Sequence, residues 1–472
     1  MGSDSAPDRG ETKPLGKKAI LLVAGIAAAA LLVAFLVVSM TRRNSAGAAG
    51  GEKPALVVVP FRAAGGSEAV SWIGDSVPIF LTLSLENDPD LKVLTPERVF
   101  DLTRAPLAGE TAEIDMAKKG GAGFLLRGTV SAGAGGASLS ASWVDVSSGK
   151  EREHWEVAGI TEETLGHRLD ELALHVRQAL GRGPLQAEDP PLASLVPLKE
   201  APTRSFVEAW TRLAQGDPAG AAPPLQEALK LEDFHLARYL EILLAAQRGD
   251  PGGAARAANT LSKLTRPLPD RVTLMIPVIM ALYQSGNPRT AVAPLESFLA
   301  RFPDEKVPLS WLGAIELFLL REPQSAAKTL AHAHELDPSS SDNLRLLALA
   351  TLESGNATEA AGLLTKYLEG HPEDHAARLS LARAQRREGH SEEALRTVEQ
   401  ILASQPNNLG ALSLKGDLLL DAGKTAEAIA LFRTLAGSPA SRAEGLALQA
   451  RVALMTGHVQ EGLKDLRDAS EA

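Results

Sequence analysis

GNATEAAGLL (355–364), GHSEEALRTV (389–398) and GKTAEAIALF (423–432) are three versions of one line. Each opens on Gly, places Ala five residues later and closes on a large apolar residue: Leu364, Val398 or Phe432. The glycines step by 34 residues, and Gly457 continues the step. Ala326, Ala360, Ala394 and Ala428 keep the same interval. Looser copies lie upstream at Gly216/Ala221, Gly249/Ala254 and Gly286/Ala291, and Pro303, Pro338, Pro372 and Pro406 end units. Each residue type has a physical task. Gly takes the positive φ of a turn between helices. Ala lets two helices approach closely, the large apolar residue fills the stack, and Pro stops the second helix. Such a unit cannot bury its apolar face alone, so the units must stack on their neighbours.

A 34-residue period with this pattern resembles the tetratricopeptide repeat. The resemblance implies antiparallel helix pairs over residues 203–470, about eight of them, in a right-handed superhelix whose groove takes a protein or peptide. The fourth unit has Arg321 where the turn Gly is expected, and the last has Gly462 in place of Ala, as a terminal cap would. The longer step from Gly249 to Gly286 places an insertion near RPLP (266–269). By register, Arg383, Arg386 and Arg387 approach the groove side, where they would meet an acidic segment or a carboxylate terminus. The alternative is a solvated helix face. The Lys/Asn set of the tetratricopeptide carboxylate clamp is not found. Trp210, Tyr239 and Trp311 also fall on groove registers, as partner-binding anchors or as packing between repeats.

Ahead of the repeats, residues 54–183 change pattern. ALVVVPF (55–61) is a short β-branched run, suited to a buried strand. A helical pattern follows over 69–85, then a strand at LKVLT (91–95), with Thr95 capping a short helix and a second helical piece at 111–119. FLLRGTV (124–130), ASLSASWVDV (137–146) and KEREHWEV (150–157) read as three strands joined by GAGG and SSGK turns, with a closing helix over 161–180. This order predicts an α+β unit with a mixed sheet. LVVVPF, then IGDSVPIFLTLSLENDPDLKVLTPERV (73–99), then GAGFLLRGTVSAGAGGASLSASWVDVSSGKEREHWE (121–156) resemble the TolB amino-terminal domain. The resemblance implies a bacterial membrane signalling protein in which that domain precedes tetratricopeptide repeats. The stretch Arg62-Ala63-Ala64-Gly65-Gly66-Ser67 departs from the Asn and Ser-Gly-Asp turn of that family. Residues 184–202 read as a linker between the two parts.

Residues 19–40 hold no charge, and at about 1.5 Å per residue they can cross a hydrocarbon core of roughly 30 Å. Lys17 and Lys18 precede them; Arg42 and Arg43 follow. A cleaved signal peptide is the alternative, but the apolar stretch exceeds the usual length and the arginines stand before any small-residue cleavage site. Lysine and arginine bias places residues 1–18 in the cytoplasm as a tail and the bulk on the periplasmic side of a bacterial inner membrane. Residues 41–53 form a flexible tether.

Several chemistries drop out. The 472 residues contain no Cys, which removes disulfides and thiolate sites. Net charge is −10 with both signs interleaved, so no basic face offers itself to nucleic acid. Gly423-Lys424-Thr425 lacks the Gly of a phosphate-binding loop, since Leu418 stands in its place. His332 and His334, two apart on a helix, do not share a face for a metal. With no assembled catalytic motif and no cofactor or metal set, the reading is a membrane-anchored scaffold or adaptor of an envelope-associated complex rather than an enzyme. A sensor whose α+β domain binds a small molecule or envelope component is the second reading.

Overall fold

The computed structural model describes residues 54–471, apart from 89, 104–108, 185–189, 196, 198, 264–267 and 440. The tail, the apolar segment 19–40 and the tether 41–53 lie outside the described residues, as do the first two residues of RPLP. Among the described residues no helix is long and apolar enough to cross a membrane. The chain divides into two units, Met1–Pro54 and Ala55–Ala472, and all that follows belongs to the second.

Its first part is a mixed sheet. The strands are β1 (Ala55–Val58), β2 (Arg62–Ala63), β3 (Lys92–Val93), β4 (Phe124–Ser131), β5 (Ala137–Asp145) and β6 (Lys150–Ile160). Their order is β3-β1-β4-β5-β6, with β2 continuing beside β4. β1 runs parallel to β3 and β4, whereas β4, β5 and β6 form an antiparallel meander. The β-branched run of β1 is buried throughout because both faces are covered. On one face Leu56, Val58, Leu126 and Trp143 pack with helices α1 (Glu68–Leu85) and α4 (Leu165–Ala179). On the other, Val57, Leu125 and Val144 meet α2 (Pro96–Thr103) and α3 (Glu110–Lys119). Helix α1 approaches the sheet through Gly74, where a Cβ would stand 2.0 Å from the Phe61 carbonyl oxygen.

Three local readings change. β2 is too short to show a period. β6 runs on to Ile160, and α4 starts only at Leu165. The Thr164 hydroxyl holds that corner: it accepts from the Thr161 N–H at 2.8 Å and donates to the Gly159 carbonyl at 2.8 Å. The segment 184–202, expected to be a linker, is pinned where it is described. Its helix α5 (Leu192–Leu195) buries both end residues, and the Asp170 carboxylate accepts from the Leu192 and Ala193 N–H groups at 2.8 and 3.1 Å.

Sixteen helices follow as eight hairpins: α6 (Glu200–Ala214) with α7 (Pro218–Leu231), α8 (His235–Gln247) with α9 (Pro251–Ser262), α10 (Asp270–Tyr283) with α11 (Val292–Arg301), α12 (Lys306–Ile315) with α13 (Pro323–Leu336), α14 (Ser341–Glu353) with α15 (Ala357–Gly370), α16 (His375–Arg387) with α17 (Ser391–Ser404), α18 (Leu409–Asp421) with α19 (Thr425–Gly437), and α20 (Arg442–Met455) with α21 (Val459–Glu471). Within a hairpin, small meets large. Ala348 shares a core with Leu364, and Ala382 with Val398. At Gly416 even a Cβ would come within 2.0 Å of the Phe432 ring. The outer helix α21 leaves Val459, Leu463 and Leu466 exposed, so its outer face is apolar and not the polar face of a cap.

The fourth hairpin is irregular in a specific way. In the regular repeats the small residue lies sixteen positions before its large partner, as in Gly416 and Phe432. Here Gly313 faces Leu330, seventeen positions on. A π turn at Glu316–Leu320 absorbs the extra residue and ends on Arg321, which has φ 62°. Arg321 is the sole non-glycine residue with positive φ among those described; the turn glycines of the other hairpins have φ between 66° and 101°. A left-handed backbone costs an L-residue roughly 1–2 kcal/mol, part of which Gly returns in unfolded-state entropy. Arg321→Gly is therefore expected to stabilise the protein by about 1 kcal/mol. A rise in the urea midpoint checks this; a fall means that the exposed Arg321 side chain holds the turn.

Candidate functional site

In stacked hairpins the first helix of each pair lines the inner face, and this protein treats the two halves of that face differently. Along the first four hairpins the α+β part occupies it. One core runs from Leu56 and Phe80 through Phe206 and Tyr239 to Ile315 without a break. From the fifth hairpin on, the apolar residues fall into small clusters between neighbouring helices.

The seam of the first half is polar at its centre. The Arg271 guanidinium, on α10, donates to both Glu86 oxygens at 2.8–2.9 Å and pairs with Glu305 at 2.9 Å. Its guanidinium lies 4.5 Å from the Phe302 ring centroid. Burial works against the Arg271 charge, but Glu305 and Glu86 outweigh it and hold the group protonated well above its ordinary range. Burial also pushes the Glu305 carboxyl up, and Glu97 adds to that, more than Arg271 brings it down. Around this centre, Asn87 accepts from the Asp270 N–H at 3.1 Å, Arg301 donates to the Glu86 carbonyl, and Arg98 donates to the Leu336 carbonyl. Lys306 reaches Asp101 at 2.6 Å and Asp337 at 3.2 Å. The end of α1 and the start of α2 thus lie where a bound segment would.

Trp210, Tyr239 and Trp311 belong to this half. All three line one cleft of about 630 Å³ between α2 and the first helices of the hairpins. Trp210 and Tyr239 are 4% and 2% exposed, with ring centroids 6.3 Å apart, and Trp311 is half-buried. None of them stands out in solvent as a free anchor, because the α+β part already covers this face.

Arg383, Arg386 and Arg387 line a different recess, of about 500 Å³, between α16 and α18. Their spacing places them on one side of α16. Arg386 donates to Asp417 at 2.9 Å and to Asp421 at 2.5 Å, which holds its pKa above the usual value. Arg451 also pairs with Asp417. Arg387 donates to the Leu352 carbonyl and lies 3.7 Å from Glu353. These pairs tie the fifth to the eighth hairpin through their first helices. Arg383 is exposed and has no ionic or hydrogen-bond partner among the described residues. The three arginines that share one register therefore divide: two brace the stack, and one is free.

The remaining sequence motifs are structural here. Gly423 forms the turn of the seventh hairpin with φ 73°, and Thr425 begins its second helix. The His332 ring contacts Asp304 at 3.0 Å. Sequence reasoning missed Glu86, Arg271 and Lys306. Arg271 at the head of the apolar run RVTLMIPVIM was the one local sign of a buried charge.

Comparison with known proteins bears on the hairpins. Family models described as tetratricopeptide repeat match residues 206–263, 351–418 and 386–452. No curated protein matches the chain. Among solved structures, a tetratricopeptide repeat protein from Parabacteroides merdae is 18% identical, covering 50% of this chain and 93% of that one, with a TM-score of 0.39. YrrB, described as a TPR protein with an unusual peptide-binding site, is 16% identical over 38% of this chain and 91% of its own, with a TM-score of 0.27. The array that follows the mixed sheet carries tetratricopeptide repeats, the repeat of protein-interaction scaffolds.

Proposed function

We propose that this protein is a scaffold that holds protein or peptide partners in the open half of its groove, along the fifth to eighth hairpins. One observation carries the reading: the first half of the inner face is filled by the protein's own α+β part, whereas the second half presents a recess with an unpaired Arg383. A guanidinium in that setting favours a carboxylate on the partner, from an acidic side chain or a chain terminus. The reaction is one of binding, with no catalytic step and no cofactor.

The placement is part of the proposal. Residues 19–40 serve as a single membrane span, with residues 1–18 in the cytoplasm and the bulk in the periplasm of a bacterial cell. The mixed-sheet part is a TolB amino-terminal-like domain. Held at a membrane surface, the groove meets partners of an envelope-associated complex at raised effective concentration.

The test is capture of partners by the full chain, wild type against Arg383→Glu. Charge reversal is expected to remove the principal partners and leave the fold intact, because Arg383 braces nothing. An unchanged partner set overturns the assignment of the recess. A C-terminal reporter active only in the cytoplasm overturns the topology.

A further inference from the structure

The cleft between the α+β part and the first hairpins has features of a ligand site that the scaffold reading leaves unused. Its size, about 630 Å³, is in the range of small-molecule pockets. One wall is aromatic, with Trp210, Tyr239 and Trp311 contributed by three different hairpins. The opposite wall comes from α2, which brings Glu97.

Charge in the cleft is unbalanced. Five carboxylates line it against three cations. The cations are engaged: Arg271 by Glu86 and Glu305, Lys306 by Asp101 and Asp337, and Arg98 by the Leu336 carbonyl. Glu97 has no partner among the described residues. Its charge is felt by the seam, since it helps push the Glu305 carboxyl up. Two buried polar atoms of cleft residues also lack partners: Nε1 of Trp210 and Oγ1 of Thr82, on residues 4% and 3% exposed. Both atoms are closed off from the cleft itself, so they contribute to its wall and not to its chemistry.

We infer that the cleft binds a small organic cation, an ammonium or guanidinium group on a compact body. The aromatic wall supplies ring faces for the cation. Glu97 supplies the neutralising charge. Neutral apolar molecules satisfy the first wall but leave Glu97 uncompensated. Anions are opposed by the excess of carboxylates. A ligand seated here touches both α2 and the hairpins, so it also clamps the seam. This site is separate from the Arg383 recess, and either can fail without the other.

The full chain is titrated with choline, with agmatine and with 3,3-dimethyl-1-butanol, the neutral counterpart of choline, by calorimetry and tryptophan fluorescence. A blocked lysine-containing tripeptide forms a further arm. At least one cation is expected to bind, and the neutral counterpart to bind at least about tenfold more weakly than choline. Glu97→Gln should weaken the cation by about tenfold, with Trp311→Ala as a second variant at a half-buried position. Both variants are checked for unchanged circular dichroism. Binding by the peptide alone identifies the cation as a partner's lysine side chain. Absence of binding by every cation in the millimolar range overturns the inference. So does equal binding of the neutral counterpart, or a full-strength Glu97→Gln variant.

Discussion

Phe206→Ala is expected to lower the unfolding free energy by about 3–5 kcal/mol, as for other large aromatic truncations in a closed core. Phe206 lies on α6, in the first hairpin, and is 0% exposed. Its ring meets Phe80 of α1 at 6.0 Å, Trp210 at 5.6 Å and Phe234 at 5.3 Å between centroids. Three of these four rings belong to the repeats and one to the mixed-sheet part. Truncation opens a cavity where the two parts are joined, so the loss should appear in both. Hydrogen exchange should accelerate in α1 as well as in α6 and α8. If α1 keeps its protection while α6 loosens, the seam does not couple the two parts.

The second large effect is electrostatic. Arg271→Met should cost about 3–5 kcal/mol, because it leaves the buried Glu86 and the largely buried Glu305 without their counterion. Glu86 is 3% exposed, and 22% of the Glu305 side chain is exposed. The attraction itself is offset by the desolvation of both ions, so most of this loss is the penalty of the abandoned carboxylates. Two consequences separate that account from simple packing loss. Removing one abandoned charge with Arg271→Met/Glu86→Gln should recover part of the stability. The pH dependence should also steepen. Burial already pushes the Glu305 carboxyl above its ordinary value, and loss of Arg271 removes the group that brings it down. Its protonated form favours the fold at acidic pH, and that contribution is lost as pH rises through the raised pKa. The deficit of the variant against wild type should therefore be smaller in mildly acidic buffer than in alkaline buffer. A deficit independent of pH points to volume rather than charge.

Both results bear on function through the same geometry. The end of α1, with Glu86 and Asn87, and the start of α2, with Arg98 and Asp101, meet the first four hairpins in the manner of a bound segment. The recess between α16 and α18 lies apart from that seam; there Arg386, Asp417, Asp421 and Arg451 brace consecutive hairpins and Arg383 stands unpaired. Aromatic anchors read from the sequence fall in the closed half, and the arginines fall in the open one.

The hairpins were legible in the sequence because their contacts are local and repeated. Gly355, Gly389 and Gly423 each serve one turn, and each small residue finds its large partner sixteen positions later. A period survives in sequence when every unit solves the same packing problem against its neighbour. Five of the six strands of the mixed sheet were legible as short apolar or alternating runs bounded by turn residues, and β2 was not. The π turn before Arg321 was half visible: the missing Gly marked the place, but the inserted residue shows only in the facing of Gly313 and Leu330. The seam was hidden. Glu86 and Arg271 are 185 residues apart, and Lys306 and Asp101 are 205 apart, and no periodicity links such pairs. By itself the sequence determined the repeat, its turns, the order of strands and helices apart from β2 and α5, and the register that puts Arg383, Arg386 and Arg387 on one side of α16. Only the tertiary structure decided which half of the groove is closed and which arginine is left unpaired, because both depend on charges and rings that meet after the chain has folded back across the array.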